Sequence, residues 1–475
     1  MMLRLLTLAI ASVVCALTVS SRPTEKAHRP RQEGGPAFIY RVYLTDKQST
    51  AHLLPYPTRF LSLRAVERRN RQQLSVDSTD LPVSARYVQQ VENCCATVVG
   101  RSRWHNTLLV HVQDTMAMQS IDLLPCVKSR RLVWQSPDSI TTQTYQVKVH
   151  NHFDSHDSIG EQPYGNAFQQ IAALNGQQLH DAGMRGEGMV IAVIDGGFRN
   201  ADCIPALQHV DIRGCEDFVA TSPIPVFAAT DHGTKVLSAM AVDTPHYYVG
   251  TAPKASYWLL RSEDQQSEQE VEEDYWTMAA EFADSVGCDL INSSLGYNEY
   301  DDSTTSHPLW HLDGHTAFVS RSASMLAQKG IVLVNSAGNS GMGTWKKITL
   351  PADADQILTV GAVSAEEPFC IAPFSSVGPS QDGRVKPDVV APGAPACLVD
   401  GRGVITQDSG TSFAAPIVCG LTACLWQALP HLTATQIIEL VRQAGNNRAH
   451  PDNVYGYGMP DFWGAYQLGK TTNEQ

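Results

Sequence analysis

Four short segments of this chain open on continuous apolar runs and are separated by stretches of helical period: MVIAVID at 189–195, LINSSLG at 290–296, IVLVNSAG at 331–338 and ILTVGAV at 357–363. A strand with one face in water alternates, whereas a strand apolar at successive positions has to be covered on both faces. Between these runs VEEDYWTMAAEFADSVG, residues 271–287, sets Trp276, Ala279, Ala280, Phe282, Ala283 and Val286 on one stripe, as a helix lying on a sheet requires. Strand alternating with helix implies a parallel sheet, because each connection crosses back over the sheet before the next strand begins. The pattern therefore predicts an α/β sandwich from Ala167 onward. It ends in LTATQIIELVRQAG, where Thr433 and Gln436 form a capping-box pattern and Gly445 stops the helix.

The preceding region has a different texture. AFIYRVYLTDK (37–47) alternates like a strand, FLSLRAVERRNRQQL (60–74) carries apolar residues three and four apart, and TLLVHVQ (107–113) and RLVWQS (131–136) read as further strands. Residues 37–136 thus form a small α+β domain, preceded by a spacer at 21–36. The polar stretch 137–162 is an exposed connector and the expected place of cleavage, the α/β domain runs over 163–469, and 470–475 is a polar tail. A chain of 475 residues with 43% apolar and 17% charged side chains is neither disordered nor a disulfide mini-protein.

The net charge of −13 opposes nonspecific attraction to nucleic acid or anionic lipid. It is unevenly spread: residues 22–150 hold 18 basic and 10 acidic side chains, net +8, and residues 151–475 hold 16 and 38, net −22. The two parts attract each other, and the expectation from charge alone is a screened, long-range attraction rather than a few strong pairs.

Residues 1–20, MMLRLLTLAIASVVCALTVS, have one Arg, an apolar run of signal-peptide length and small residues at a cleavage position, which reads as export from a bacterial-type cell. A retained membrane helix is disfavoured by the short run and the lack of a basic stop-transfer cluster, and a lipid anchor at Cys15 by the bulk of Val14. The eleven cysteines show no Cys-x-x-Cys or His-rich ligand spacing, so a zinc site has little support. Cys203 with Cys215 and Cys370 with Cys397 are candidate disulfides, and Cys419 and Cys424 read as buried small hydrophobes.

Three polar residues stand at ends of the expected elements. Asp195 closes the run MVIAVID and is followed by Gly196 and Gly197, which let the chain leave the sheet sharply with a carboxylate at the strand's carboxyl edge. Alone it reads as well as an aspartate capping a turn. His232, in DHGTKVLSAMA, stands at a helix start, where a merely structural histidine is the commoner case and Asp231 is a rival as helix cap. Ser412, in SGTSFAAPIVCGLTACLWQ, meets the start of an apolar helix, and that end stabilises negative charge such as the oxygen formed when a hydroxyl attacks a peptide carbonyl. Gly-Thr-Ser-x-Ala-x-Pro is more specific than a plain capping serine, and it is the strongest single signal in the chain.

Taken together, VIDGG, DHGTKV, SSLG, NSAGN and SGTSFAAP resemble the motifs of the subtilisin-like serine peptidases, the subtilases, in that family's order of Asp, His and Ser over residues 163–465. The resemblance implies a subtilisin-like three-layer sandwich with a mostly parallel sheet. It implies Ser412 as nucleophile, His232 as general base and later acid, Asp195 as the carboxylate that orients His232, and Asn339 as a side-chain donor to the oxyanion. Ser294, Leu295 and Gly296 resemble the edge segment that pairs with an extended substrate, with Ala337 and Gly338 as the facing wall of the pocket before the scissile bond. Trp345 is weighed both as narrowing that pocket and as ordinary packing.

The same likeness makes residues 37–136 a propeptide that assists folding and blocks the site, against the simpler reading of a permanently retained accessory domain. It implies polypeptide substrates, no cofactor for catalysis, structural calcium with no identifiable ligands, and a secreted, periplasmic or cell-surface location. The acidic runs 268–274 and 301–302 lack the spacing of a calcium loop and read as solvated faces. The leading function is a secreted serine endopeptidase, and the alternative is a catalytically inactive subtilase-like peptide-binding protein. An α/β-hydrolase esterase is disfavoured because Ala414 stands where Gly-x-Ser-x-Gly needs glycine.

Overall fold

The computed structural model describes residues 37–137, 148–149 and 161–471. The signal segment, the spacer, most of the connector and the last four residues lie outside the described residues. Strands β1 (Phe38–Leu44), β2 (Thr97–Ser102), β3 (Thr107–Val112) and β4 (Val127–Gln135) form an antiparallel sheet in the order β2-β3-β1-β4. Helices α1 (Leu63–Arg71), α2 (Ala85–Glu92) and α3 (Ala117–Asp122) complete this α+β unit. Ser62 and Ser84 start α1 and α2 by accepting the N–H of Ala65 (3.1 Å) and Tyr87 (3.4 Å) on their hydroxyls. One face of the sheet buries Val42, Leu108 and Val110 with Val88, Val91 and Ile121 of its own helices.

The remaining chain begins with α4 (Phe168–Ala172), α5 (Gly176–Asp181), β5 (Val190–Asp195), β6 (Asp211–Asp217) and α6 (His232–Ala241). The short hairpin β7 (Asp243–Thr244) and β8 (Tyr248–Val249) follows, then β9 (Ser256–Arg261), α7 (Val271–Val286), β10 (Leu290–Ser293) and α8 (Phe318–Met325). β11 (Val332–Ser336), β12 (Leu358–Ser364), β13 (Val389–Ala394), the hairpin β14 (Ala396–Val399) and β15 (Ile405–Asp408), and helices α9 (Thr411–Ala428), α10 (Ala434–Gln443) and α11 (Phe462–Thr471) complete it. Seven strands join in the order β13-β12-β11-β10-β5-β9-β6, and every pairing between them is parallel.

Helices cover both faces, which is why these strands are apolar at successive positions. Ile191 and Val193 of β5 enter the core beneath α6 and α9, while Val190, Ala192 and Ile194 enter the core beneath α7 and α8. Helix α9 is long and apolar enough to cross a membrane, but 89% of it is buried inside the protein as the central helix of one face. Thr433 and Gln436 make the reciprocal capping box of α10. From β5 the chain winds first to β6 and β9 on one side and then crosses to β10 and its neighbours on the other. The carboxyl ends of β5 and β10 therefore border the crevice where the winding reverses, the place where open α/β sheets hold their sites.

The second face of the N-terminal sheet packs on α7: Ile39, Val99, Val133 and Trp134 meet Val271, Tyr275 and Met278. Around this apolar contact lie buried ion pairs. Arg41 grips Asp274, with Nε 2.7 Å from Oδ1, and lies 3.7 Å over the ring of Phe318. Arg69 (2.9 Å) and Arg103 (2.7 Å) converge with Arg68 on Asp284, which has no exposed surface. Burial pushes that carboxyl up, but the guanidinium groups of Arg68, Arg103 and Arg69 outweigh it and hold it at about 2. The attraction between the two parts is thus concentrated in desolvated, charge-assisted pairs, contrary to the expectation of a diffuse field. Glu272, Glu273 and Asp274 are also buried rather than part of a solvated face. Asp274 holds Arg41, whereas Glu273 is bonded to His307 (2.9 Å) and the N–H of Val319 (2.9 Å), and Glu272 accepts the N–H of Asp264 (2.8 Å), both within the α/β domain. Cys203 and Cys215 are free thiols and Cys370 is not bonded to Cys397, so neither candidate disulfide is formed.

Candidate active site

Asp195 is the last residue of β5, and it is fully buried. Its Oδ1 accepts the N–H of Gly196 (2.8 Å), and both its carboxylate oxygens lie 2.9 Å from Nδ1 of His232. His232 is the first residue of α6, held there by its backbone N–H to Oγ1 of Thr230 (3.2 Å). Asp231 makes no side-chain cap to the helix; its Oδ2 instead accepts the N–H of Gly401 (3.2 Å). Burial disfavours the imidazolium, but attraction and hydrogen bonding to Asp195 outweigh it, so the pKa of His232 is raised. With Nδ1 facing the carboxylate, Nε2 is the nitrogen left for proton transfer.

Ser412 lies in the first turn of α9, where a backbone N–H has no partner inside the helix. The ring of Phe413, the next residue, is 5.5 Å from the ring of His232, so the start of α9 abuts the imidazole. The Ser412 hydroxyl donates to the carbonyl of Ser294 (3.1 Å) rather than to His232, and the Ser294 hydroxyl donates back to the carbonyl of Ser412 (2.7 Å). This reciprocal pair ties the segment after β10 to the start of α9.

Asn339, exposed in the loop after β11, is anchored by one end of its amide. Its Oδ1 accepts both the N–H (3.0 Å) and the hydroxyl (3.0 Å) of Thr411. The amide nitrogen is left free of Thr411 and would lie 3.6 Å from a Cβ on Gly410, two residues before Ser412. That anchoring threonine was not singled out from sequence, although it lies inside the Gly-Thr-Ser motif.

The other expected contact residues line two walls. Ser294 and Leu295 are buried, and Gly296 is exposed just before Tyr297, which exchanges backbone hydrogen bonds with Leu350 (2.7 and 2.9 Å). Ala337 is fully buried, and its carbonyl accepts the N–H of Thr349 (3.1 Å). Gly338 has φ +101°, a left-handed conformation that favours glycine, with its N–H on Oγ1 of Thr411 (3.2 Å) and its carbonyl on the N–H of Ser376 (3.0 Å). Trp345 sends its indole N–H to the carbonyl of Ile348 (2.9 Å) and packs against the core beneath α7, as ordinary packing does.

Glu263 escaped the sequence reading. It follows β9, is half-buried, and its Oε2 would lie 3.9 Å from a Cβ on Gly196. Burial, then the charges of Glu268 and Asp195, push its carboxyl up to about 8. The available signal was its position, two residues beyond the end of a strand bordering the same crevice. Among the described residues no group of three or more His, Cys, Asp or Glu side chains is placed to hold a metal ion.

Comparison with known proteins covers most of the chain. Residues 186–458, more than half of it, match the model of the subtilase family, and residues 39–150 match the model of the Peptidase S8 propeptide domain of Bacteroidota. Subtilisin NAT of Bacillus subtilis subsp. natto is 29% identical over 316 residues, covering 66% of this chain and 73% of its own. Subtilisin DY of Bacillus licheniformis is 28% identical over 64% of this chain and 98% of its own, and serine protease AprX of Bacillus subtilis (strain 168) is 27% identical over 60% and 66%.

Proposed function

This chain belongs to the subtilase family and is a serine-type endopeptidase, and we propose that Ser412, His232 and Asp195 carry its reaction. The observation that supports this most is the contact of His232 Nδ1 with both oxygens of buried Asp195. That contact fixes the tautomer with Nε2 free to accept a proton. When a peptide binds, the Ser412 hydroxyl turns from the carbonyl of Ser294 to His232. Its proton passes to Nε2 as Oγ bonds to the scissile carbonyl carbon. The oxyanion is met by the N–H of Ser412 and the amide nitrogen of Asn339. Collapse breaks the C–N bond, His232 gives its proton to the departing amine, and water repeats the sequence to release the acyl group. A binding module has no use for acid, base and oxyanion donors together, so the inactive alternative is not favoured.

The exposed Gly296 backbone supports pairing of an extended substrate along residues 294–296, opposite the wall at 337–338. The N-terminal domain acts as an intramolecular inhibitor removed by cleavage within 137–162, after export directed by residues 1–20. Its last strand exits beside Gln269, which exchanges hydrogen bonds with the backbone of Gln135 (2.9 and 3.0 Å). A fluorophosphonate probe tests the assignment: the full chain should be labelled and should lose its N-terminal domain, and the Ser412→Ala chain should do neither. Equal processing of both would sink it.

A further inference from the structure

We propose that Thr349 is the floor of the pocket for the residue preceding the scissile bond and restricts that residue to small side chains, alanine and serine. The inference rests on the proposed function, since it takes Ser412 as the attacking group. A peptide attacked there and paired with residues 294–296 directs that side chain between the wall at Gly296 and the wall at Gly338. Both walls are glycine, yet the gap between them is filled. A Cβ on Gly296 would overlap Oγ1 of Thr349, and a Cβ on Gly338 would lie 2.7 Å from the same oxygen and 3.0 Å from Cγ2.

The backbone that carries Thr349 is pinned. Its N–H donates to Ala337 (3.1 Å), its carbonyl accepts from Ala352 (2.8 Å), and its neighbour Leu350 is paired to Tyr297 on the opposite wall. The residue is 4% exposed, and Oγ1 is buried with no hydrogen-bond partner. A branched side chain at this place leaves depth for a methyl or hydroxymethyl group and none for a ring.

Matched peptide substrates differing only in alanine, serine, leucine or phenylalanine before the scissile bond test this on the processed enzyme. The expected kcat/KM for alanine and serine exceeds that for phenylalanine by about a hundredfold. Thr349→Gly should raise the phenylalanine value by about as much and change the alanine value by only about twofold. Thr349→Val keeps the shape and removes the hydroxyl, so it should retain the exclusion of phenylalanine. If Thr349→Gly does not fold, Thr349→Ala is read for a gain on leucine. Turnover of phenylalanine as fast as alanine by the unaltered enzyme overturns the proposal. So does a Thr349→Gly enzyme that is labelled at Ser412 yet gains nothing on phenylalanine. Failure of the unaltered enzyme to be labelled at Ser412 would count against the proposed function instead.

Discussion

Nδ1 of His232 stands 2.9 Å from each carboxylate oxygen of Asp195, so the imidazole cannot turn without leaving both acceptors. Asp195 holds the pKa of His232 above its ordinary value against the effect of burial. The reaction needs the neutral ring, so the acid limb of kcat/KM should have its midpoint above about 6.5. Glu263, pushed up to about 8, ionises later and adds a second negative charge near the ring. Glu263→Gln should leave the acid limb in place and remove an inflection near that pH, read from pH profiles of both enzymes.

Asn339 presents its amide nitrogen because Thr411 occupies its oxygen. Asn339→Ala should lower kcat by about a hundred- to a thousandfold, a range established in subtilisin itself rather than derived for this chain, with KM little changed. Thr411→Val removes one of the two bonds to Oδ1 and should give a smaller loss of the same kind. Steady-state kinetics on one peptide separates kcat from KM.

Asp284 is the common ion-pair partner of Arg68, Arg69 and Arg103 at the contact between the two domains. Asp284→Ala strands buried guanidinium groups and should destabilise the Ser412→Ala full chain by about 3–5 kcal/mol in urea denaturation. Its carboxyl is held at about 2 in the fold, below the ordinary carboxylate value. The stabilisation is therefore present above that ordinary value and is lost as pH falls toward 2.

His105 reaches across to Ser322 (2.8 Å) and lies 4.4 Å from the ring of Phe318. Burial, then the positive charges of Arg321, Arg41 and Lys47, push its pKa down to about 3. A histidine kept neutral in the fold contributes stability that is full above about 6.5 and declines as pH falls toward the folded value. The melting temperature of the Ser412→Ala chain should fall between pH 7 and 4, and His105→Gln should flatten that fall.

What could be read from sequence was whatever a few adjacent residues decide by themselves. The apolar runs ending in Asp195 and Ser293 are strands because alternate side chains of each enter different cores, and that burial leaves its mark on every position. The motif around Ser412 was legible because Gly410, Thr411 and Ser412 are adjacent in the chain at the start of an apolar helix, in an order that resembles the subtilase motif. Helix α7 was only half legible: its stripe of Trp276, Ala279, Ala280 and Ala283 does face a core. The acidic run that ends at Asp274 read as a solvated face, yet Asp274 is buried against Arg41 of a domain contributed from well over a hundred residues earlier in the chain, as are Glu281 and Asp284, which the sequence reading did not single out.

The amino-acid order by itself determined the layered α/β architecture, the preceding α+β domain and the residue types gathered at the carboxyl ends of the strands, because periodicity and turn chemistry act over a few neighbours. Tertiary structure alone decided which arginines neutralise α7, that the Ser412 hydroxyl rests on Ser294, that Glu263 borders His232, and that Thr349 fills the gap between two glycines. Each of these joins side chains remote in the chain, and burial and charge at such contacts depend on what the fold brings against them.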